Sequence, residues 1–331
     1  MKKVLIIIVA LAVVFLLGPK VDKTDLEWRV PEQMDQVDLQ LFNHEIINSE
    51  MNTDFIKPEN ESRIIFNDSL PQKTEYCLLY LHGFSASPRE GYPLNEDFPK
   101  RYGMNAYLPR LWEHGLETDQ NLIHMTPDLL LKSAQDALKV ARQLGDKVIL
   151  MSTSTGGTLS LILAAGNPEI AGIILYSPNI EMTAEMTKIL TFPWGLQIGK
   201  LAGGEMIEYP DDPPLVKKYW QSSYRIEAAA YLQSLVENTM TLRTFEEVEQ
   251  PLFLGYYYKD EENQDPTVKV SAMLDMFKHL GTPDSLKRKF AFDKVGVHPL
   301  ACDIKSKDIG AVKHETYKFA EEILKLNPII K

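Results

Sequence analysis

Apolar positions along the chain fall into three regimes. The first is an unbroken run of fourteen, residues 4–17, set between Met1-Lys2-Lys3 and Gly18-Pro19. It is shorter than the ~20 residues that cross a bilayer comfortably, and its length and basic flank suit the apolar stretch of an export signal. Residues 1–20 are therefore expected to be a signal peptide or an uncleaved signal anchor. The second regime, residues 21–75, is polar and weakly patterned and reads as an N-terminal extension. Within it Met34, Val37, Leu41, Phe42, Ile46 and Ile47 fall at helical spacing, which predicts an amphipathic helix over 31–49, and residues 63–66 read as a short strand.

From residue 76 onward, short apolar runs alternate with helical patterns. Residues 77–81 and 104–108 are strands of the buried type, the first ending in His82-Gly83 and the second in Pro109. Thr126-Pro127-Asp128 starts a helix, with a hydroxyl cap, Pro at the first position and an acid in the first turn. Leu130, Ala134, Ala137, Leu138, Ala141 and Leu144 form its apolar face, and Gly145 stops it. A strand (147–151), a glycine-bearing turn, a helix (158–165) and a strand (170–176) follow. The rhythm breaks at Pro178 and resumes with a strand at 251–258, a helix at 270–280, a strand at 289–292 and a last helix at 307–326. Strands separated by helices predict βαβ units in a mostly parallel sheet with helices on both faces. The interval of about 179–249 is helical pieces broken by Pro and Gly, carrying exposed-looking Phe192, Trp194, Tyr219, Trp220 and Tyr224. It is expected to be a helical cap inserted in a domain spanning 76–331.

Charge narrows the set of partners. The 331 residues include 35 basic and 46 acidic ones, a net of -11; Lys2, Lys3 and Lys20 lie in the first segment, so the remainder has 32 against 46, about -14. Such a body does not neutralise a phosphate backbone, and nucleic acid is excluded as a partner. A basic flank kept inside places the body outside the cytoplasm, exported or anchored through residues 4–17. Cys77 and Cys302, in apolar surroundings, read as core or near-core thiols. No two His or Cys residues fall at ligand spacing, so no metal is expected.

The chemistry is concentrated in Ser152-Thr153-Ser154-Thr155-Gly156-Gly157, between a buried strand and a helix. A nucleophile elbow needs that context, and it needs small residues two before and two after the nucleophile. Centring on Ser154 puts Ser152 and Gly156 there; centring on Ser152 puts Leu150 and Ser154 there, which is worse. Upstream, Leu81-His82-Gly83-Phe84-Ser85 ends a strand from which the Phe84 amide, with that of Thr155, could form an oxyanion hole. Downstream come two acids, Asp260 and Asp265, with Glu261 and Glu262 between them, and then His298. The order Ser, acid, His is the one expected of this architecture. His82 reads as a loop brace, His279 and His314 as surface or half-buried positions, and His114 and His124 as loop residues beside the pocket.

These segments, with Ala86-Ser87-Pro88, Asp265-Pro266-Thr267-Val268 and Gly296-Val297-His298, resemble an α/β-hydrolase of the esterase, carboxylesterase and monoacylglycerol-lipase-like group. The resemblance covers roughly residues 76–326. It implies the α/β-hydrolase fold, Ser154 as nucleophile, Asp265 as acid, His298 as base, the Phe84 and Thr155 amides as oxyanion hole, and no cofactor. It departs at Ser152, where the group has glycine, and at Glu113, which replaces the first glycine of a Gly-His-Gly loop. The expected activity is hydrolysis of a small-molecule or lipid-like carboxylic ester through an acyl-enzyme. A peptidase, thioesterase or acyltransferase would use the same triad, and a non-catalytic, membrane-tethered binding protein is the reading from a different class.

Overall fold

The computed structural model describes residues 2–21, 23 and 35–329. The apolar N-terminal run forms helix α1 (Lys2–Leu16), whose described side chains, Val4, Leu5, Val13 and Phe15 among them, are exposed. Among the described residues no helix is long and apolar enough to cross a membrane. The amphipathic helix expected over 31–49 is α2 (Leu39–Met51), with residues 31–34 outside the described residues. It starts late because Asp38 caps it, accepting hydrogen bonds from the amides of Gln40 and Leu41.

One seven-stranded sheet organises the rest. Its strands are β1 (Arg63–Ile65), β2 (Thr74–Leu81), β3 (Asn105–Leu108), β4 (Gly145–Thr153) and β5 (Gly172–Tyr176), joined further along by Leu252–Tyr257 and Lys287–Phe292. From edge to edge the order runs β1, β3, β2, β4, β5 and then those two strands, all parallel except β1, which pairs antiparallel with β3. The sheet therefore begins inside residues 21–75, the segment that reads from sequence as an extension. The short strand expected over 63–66 is β1, and its antiparallel pairing with β3 is what makes it an edge of this sheet.

Strand periodicity divides the core in two. In β2, Cys77, Leu79 and Leu81 face one side of the sheet, and Leu78 and Tyr80 the other. The first side is covered by α4 (Pro127–Leu144) and α5 (Thr155–Gly166), the second by α3 (Leu94–Tyr102). Helix α4 begins as expected, with the Thr126 hydroxyl accepting the Leu129 amide and Pro127 in its first turn. Both cysteines are buried free thiols, and burial pushes Cys302 up to about 12.

The interval between the fifth and sixth sheet strands holds α6 (Gly195–Gly203), β6 (Met206–Glu208), α7 (Pro214–Tyr219), β7 (Ser223–Arg225), α8 (Ile226–Thr239) and α9 (Leu242–Glu246). It is not purely helical, because β6 and β7 form a small antiparallel pair. Of its aromatic residues Phe192 (54%) and Trp194 (38%) are exposed, whereas Tyr219, Trp220 and Tyr224 are buried. Their burial comes from contacts remote in sequence: Phe84 meets Tyr224 edge-on at 4.9 Å, and Trp220 packs with Ala86 and Cys302. The chain then completes the sheet with β8 (Leu252–Tyr257), α10 (Val270–His279), β9 (Lys287–Phe292) and α11 (Ile309–Glu322). Helix α10 lies on the face of α4 and α5, and α11 beside α3.

Candidate active site

Ser154 sits where β4 turns into α5, with φ 54° and ψ -119°. A non-glycine residue held there is strained and stays only when its surroundings impose it. They do so on both sides of the peptide: the Ser154 amide donates to the Tyr176 carbonyl at 3.0 Å, and its carbonyl accepts from Gly157 at 2.8 Å and Asn179 at 2.9 Å. Ser154 is thereby placed at the amino end of α5, where the field of the unpaired amides favours negative charge. Gly156 is required by close approach. A Cβ on it would lie 2.0 Å from the carbonyl oxygen of Leu81, so the first turn of α5 rests against the end of β2. Ser152, the departure from glycine, is absorbed by pairing its Oγ with the Ser160 hydroxyl at 3.0 Å, both residues being buried.

The end of β2 continues into the loop carrying Phe84. The Phe84 amide has no intramolecular acceptor among the hydrogen bonds of the described residues, and Thr155, as first residue of α5, has no intrahelical one. His82 braces this loop: Nδ1–H donates to the Gly83 carbonyl at 2.8 Å, and Nε2 accepts from the Leu111 amide at 3.0 Å. Burial and neighbouring His114 push the His82 imidazole well below its ordinary value, which keeps it neutral. His114 is not a pocket residue: it is buried behind Phe84, its ring 6.0 Å from that ring, and burial pushes it down to about 4. His124 is exposed and also lies away from the cavity. Glu113 adopts φ 63° and Gly115 φ 68°, so the position where the resembling loop carries glycine keeps the left-handed backbone with a glutamate in it.

Of the two acids left open after β8, Asp265 is the one that meets His298. Residues 259–264 form a tight excursion in which exposed Asp260 accepts from the Glu262 and Asn263 amides. The chain then returns to the strand end, where the Asp265 amide donates to the Tyr257 carbonyl. The Asp265 carboxylate, inaccessible to solvent, accepts His298 Nδ1–H at 2.8 and 3.0 Å and the amides of Thr267 and Val268 at 2.9 and 3.1 Å. Burial alone would raise its pKa, but the charge and hydrogen bond of His298 with the Thr267 amide hold it below the usual carboxylate value. Burial likewise disfavours the imidazolium of His298, and the adjacent Asp265 outweighs it, leaving His298 above its ordinary value. Its Nε2 is buried without a hydrogen-bond partner.

Ser154, Thr155, Phe84 and His298 line one cavity of about 640 Å³, with Asp265 behind His298. The roof is the interval between β5 and β8, which contributes Met182, Ile207, Val216, Ala229 and Leu232 as apolar wall and Trp220, Gln221 and Tyr224 as its polar and aromatic part. The volume suits a small organic ligand. Two lining residues, Glu90 and Lys305, were not among the sequence candidates. Each lies outside any strand-end motif, so no local signal marks it. Among the described residues no group of three or more His, Cys, Asp or Glu is arranged to hold a metal ion.

No family model matches the chain. A stretch of 134 residues, 40% of the chain, is 28% identical to a thermostable monoacylglycerol lipase of Bacillus sp. (strain H-257) and spans 48% of it, so the chain matches about half the length of this curated relative. Among solved structures, one from the metagenome-derived lipolytic enzymes LipS and LipT superposes over 80% of this chain and 98% of its own, with 18% identity and a TM-score of 0.65. The monoacylglycerol lipase of Paleococcus ferrophilus covers the same shares at 16% identity and a TM-score of 0.56. Est1E of Butyrivibrio proteoclasticus with ferulic acid bound covers 80% and 95% at 15% identity and a TM-score of 0.52. With the mostly parallel sheet flanked on both faces by helices, these likenesses show the α/β-hydrolase fold that the sequence motifs resemble.

Proposed function

We propose that this α/β-hydrolase-fold protein is a serine hydrolase that cleaves carboxylic esters through an acyl-enzyme. The observation that carries the proposal is Ser154, strained at the start of α5, in one cavity with His298, whose other ring nitrogen is held by buried Asp265. Asp265 on Nδ1 fixes the tautomer whose Nε2 accepts a proton, and it stabilises the imidazolium once formed. His298 Nε2 takes the Ser154 hydroxyl proton as Oγ bonds to the substrate carbonyl carbon and the carbonyl electron pair moves onto oxygen. The Phe84 and Thr155 amides and the amino end of α5 stabilise that oxygen. The pair returns, the alcohol leaves with the proton from Nε2, and water repeats the sequence on the acyl-enzyme to release the acid.

The apolar roof favours an acyl chain, and the lipase name carried by the curated relative supports a lipid-like ester. The test is Ser154→Ala. It should abolish hydrolysis of short p-nitrophenyl esters and labelling by a fluorophosphonate while the fold survives, and persistent labelling of the variant would sink the assignment. Comparing ester, thioester and aminoacyl substrates by kcat/KM separates an esterase from a thioesterase or peptidase.

The proposal extends to location. Exposed apolar residues on α1 and the basic Lys2-Lys3 flank support attachment of the chain to a membrane through residues 4–17, with the body outside the cytoplasm. Membrane fractionation of the full chain and of a variant lacking residues 2–20 checks this. Equal recovery of both in the soluble fraction counts against attachment.

A further inference from the structure

Glu90 lies in the short turn after the Phe84 loop, 3% exposed, in the wall of the cavity that holds Ser154 and His298. Its Oε2 accepts the Gly83 amide at 2.6 Å. A Cβ built on Gly83 would stand 3.1 and 3.2 Å from the two carboxylate oxygens and 3.1 Å from the Ser154 Cβ, so the carboxyl, the loop and the nucleophile crowd one small volume. The triad needs no second acid, because Asp265 already holds His298. A buried carboxylate without a cation partner is costly, and among the described residues no Lys or Arg forms an ion pair with it. Arg89, its chain neighbour, is engaged by Asp303.

The groups facing Glu90 come from every side. His298, Cys302 and Lys305 come from the segment after β9, Tyr80 from β2, and the Trp220 indole from the roof. Lys305 holds its ammonium 4.4 Å over the Trp220 ring, and it acts on Glu90 only as a nearby charge.

We propose, resting on the serine-hydrolase reading, that Glu90 is a positioning residue: it pins the oxyanion loop through Gly83 and couples its own ionisation to that of His298. The acid limb of activity then reports a carboxyl–imidazole pair and not His298 alone. Two effects make this so. The Gly83 amide is one residue from the Phe84 amide, so an acceptor held rigidly on the first orients the second. An ionised Glu90 also favours the imidazolium, which raises the pH at which His298 becomes a base. Burial, only partly opposed by the Gly83 amide, His298 and Lys305, pushes Glu90 up to about 7, and the charge of Asp265 and Glu90 holds His298 above its ordinary value.

Glu90→Gln and Glu90→Ala separate the effects, since glutamine keeps an acceptor for Gly83 and loses the charge. The His298 imidazole is titrated by its ¹H–¹⁵N signals, assigned with His298→Asn, and kcat/KM is followed across pH in parallel. The proposal expects the His298 midpoint and the acid limb to move to lower pH in both variants. It also expects the plateau to fall by about tenfold or more in Glu90→Ala and by distinctly less in Glu90→Gln. Unmoved midpoints in two folded variants, or equal losses in both, overturn it. Because the imidazole titration needs no turnover, it judges Glu90 even if wild-type protein hydrolyses no ester and takes no fluorophosphonate label, the result that refutes the serine-hydrolase reading itself.

Discussion

Gly156→Ala is a one-methyl perturbation whose consequence can be worked from distances. The new Cβ would lie 2.0 Å from the Leu81 oxygen, 2.5 Å from the Leu81 carbonyl carbon and 2.8 Å from the His82 oxygen. All three are backbone atoms, so no rotamer change relieves the contact. Real Cβ atoms essentially never approach closer than 3.0 Å, so either the first turn of α5 or the end of β2 must shift by about 1.0 Å, the difference between 3.0 and 2.0 Å. Neither moves freely, because β2 is tied to β4 residue by residue up to Leu81 opposite Ser152. Overpacking a well-filled site costs about 1–3 kcal/mol, and a clash with rigid backbone belongs at the upper end. The same shift separates Ser154 and Thr155, carried by α5, from Phe84, carried by the end of β2. A misplacement of about 1 Å costs on the order of a hundredfold in rate, or about 2.7 kcal/mol of transition-state stabilisation. The assay is kcat/KM on a short p-nitrophenyl ester beside a thermal melt followed by circular dichroism. Gly203→Ala serves as control, since a Cβ there meets nothing within 4 Å. A Gly156→Ala protein that melts with wild type and keeps kcat/KM within about twofold would refute both the packing and the placement of the site, given that typical surface changes stay within ±0.5 kcal/mol.

Two further outcomes are expected. Ser152→Gly should leave kcat within a few-fold of wild type, because the Ser152 side chain points at Ser160 and not at the cavity. Stranding the Ser160 hydroxyl should cost about 1–3 kcal/mol in denaturant titration; a large loss of kcat in a stable protein would instead give Ser152 a chemical role. His114, depressed to about 4 by burial, stays neutral in the folded protein while the unfolded chain takes up a proton near 6.5. Its contribution is therefore present above pH 6.5 and is lost as pH falls toward 4, amounting to about 3 kcal/mol at most. Denaturant midpoints at pH 7.5 and pH 5 should differ less in His114→Gln than in wild type, and an identical difference would mean that other groups carry the acid sensitivity.

Much of the framework was legible in the amino-acid sequence, because burial of a local face leaves a local period. The runs at 77–81 and 147–151 announce strands covered on both sides, and the Leu130 to Leu144 stripe announces the helix that covers one of them. The position of Ser154 was equally local: a strand, a turn of small residues and a helix are contiguous in the chain, and the close approach of Gly156 to β2 explains why the residue there is small. What required the tertiary structure is which distant loops meet. Asp260 and Asp265 are five positions apart in one polar loop; the resemblance pointed to Asp265, and the return of the chain to β8 is what sets that carboxylate against His298, on the loop after the adjacent strand β9. The burial of Tyr219, Trp220 and Tyr224 is likewise made by partners far off in the chain, and so is the place of β1 in the sheet. Glu90 is the sharpest case. A charged residue in a short turn has no periodicity to mark it, and only the convergence of the Phe84 loop, the turn into α5 and the segment after β9 encloses its carboxyl. Period encodes the face a segment buries, whereas strand order decides whose side chains that face will find.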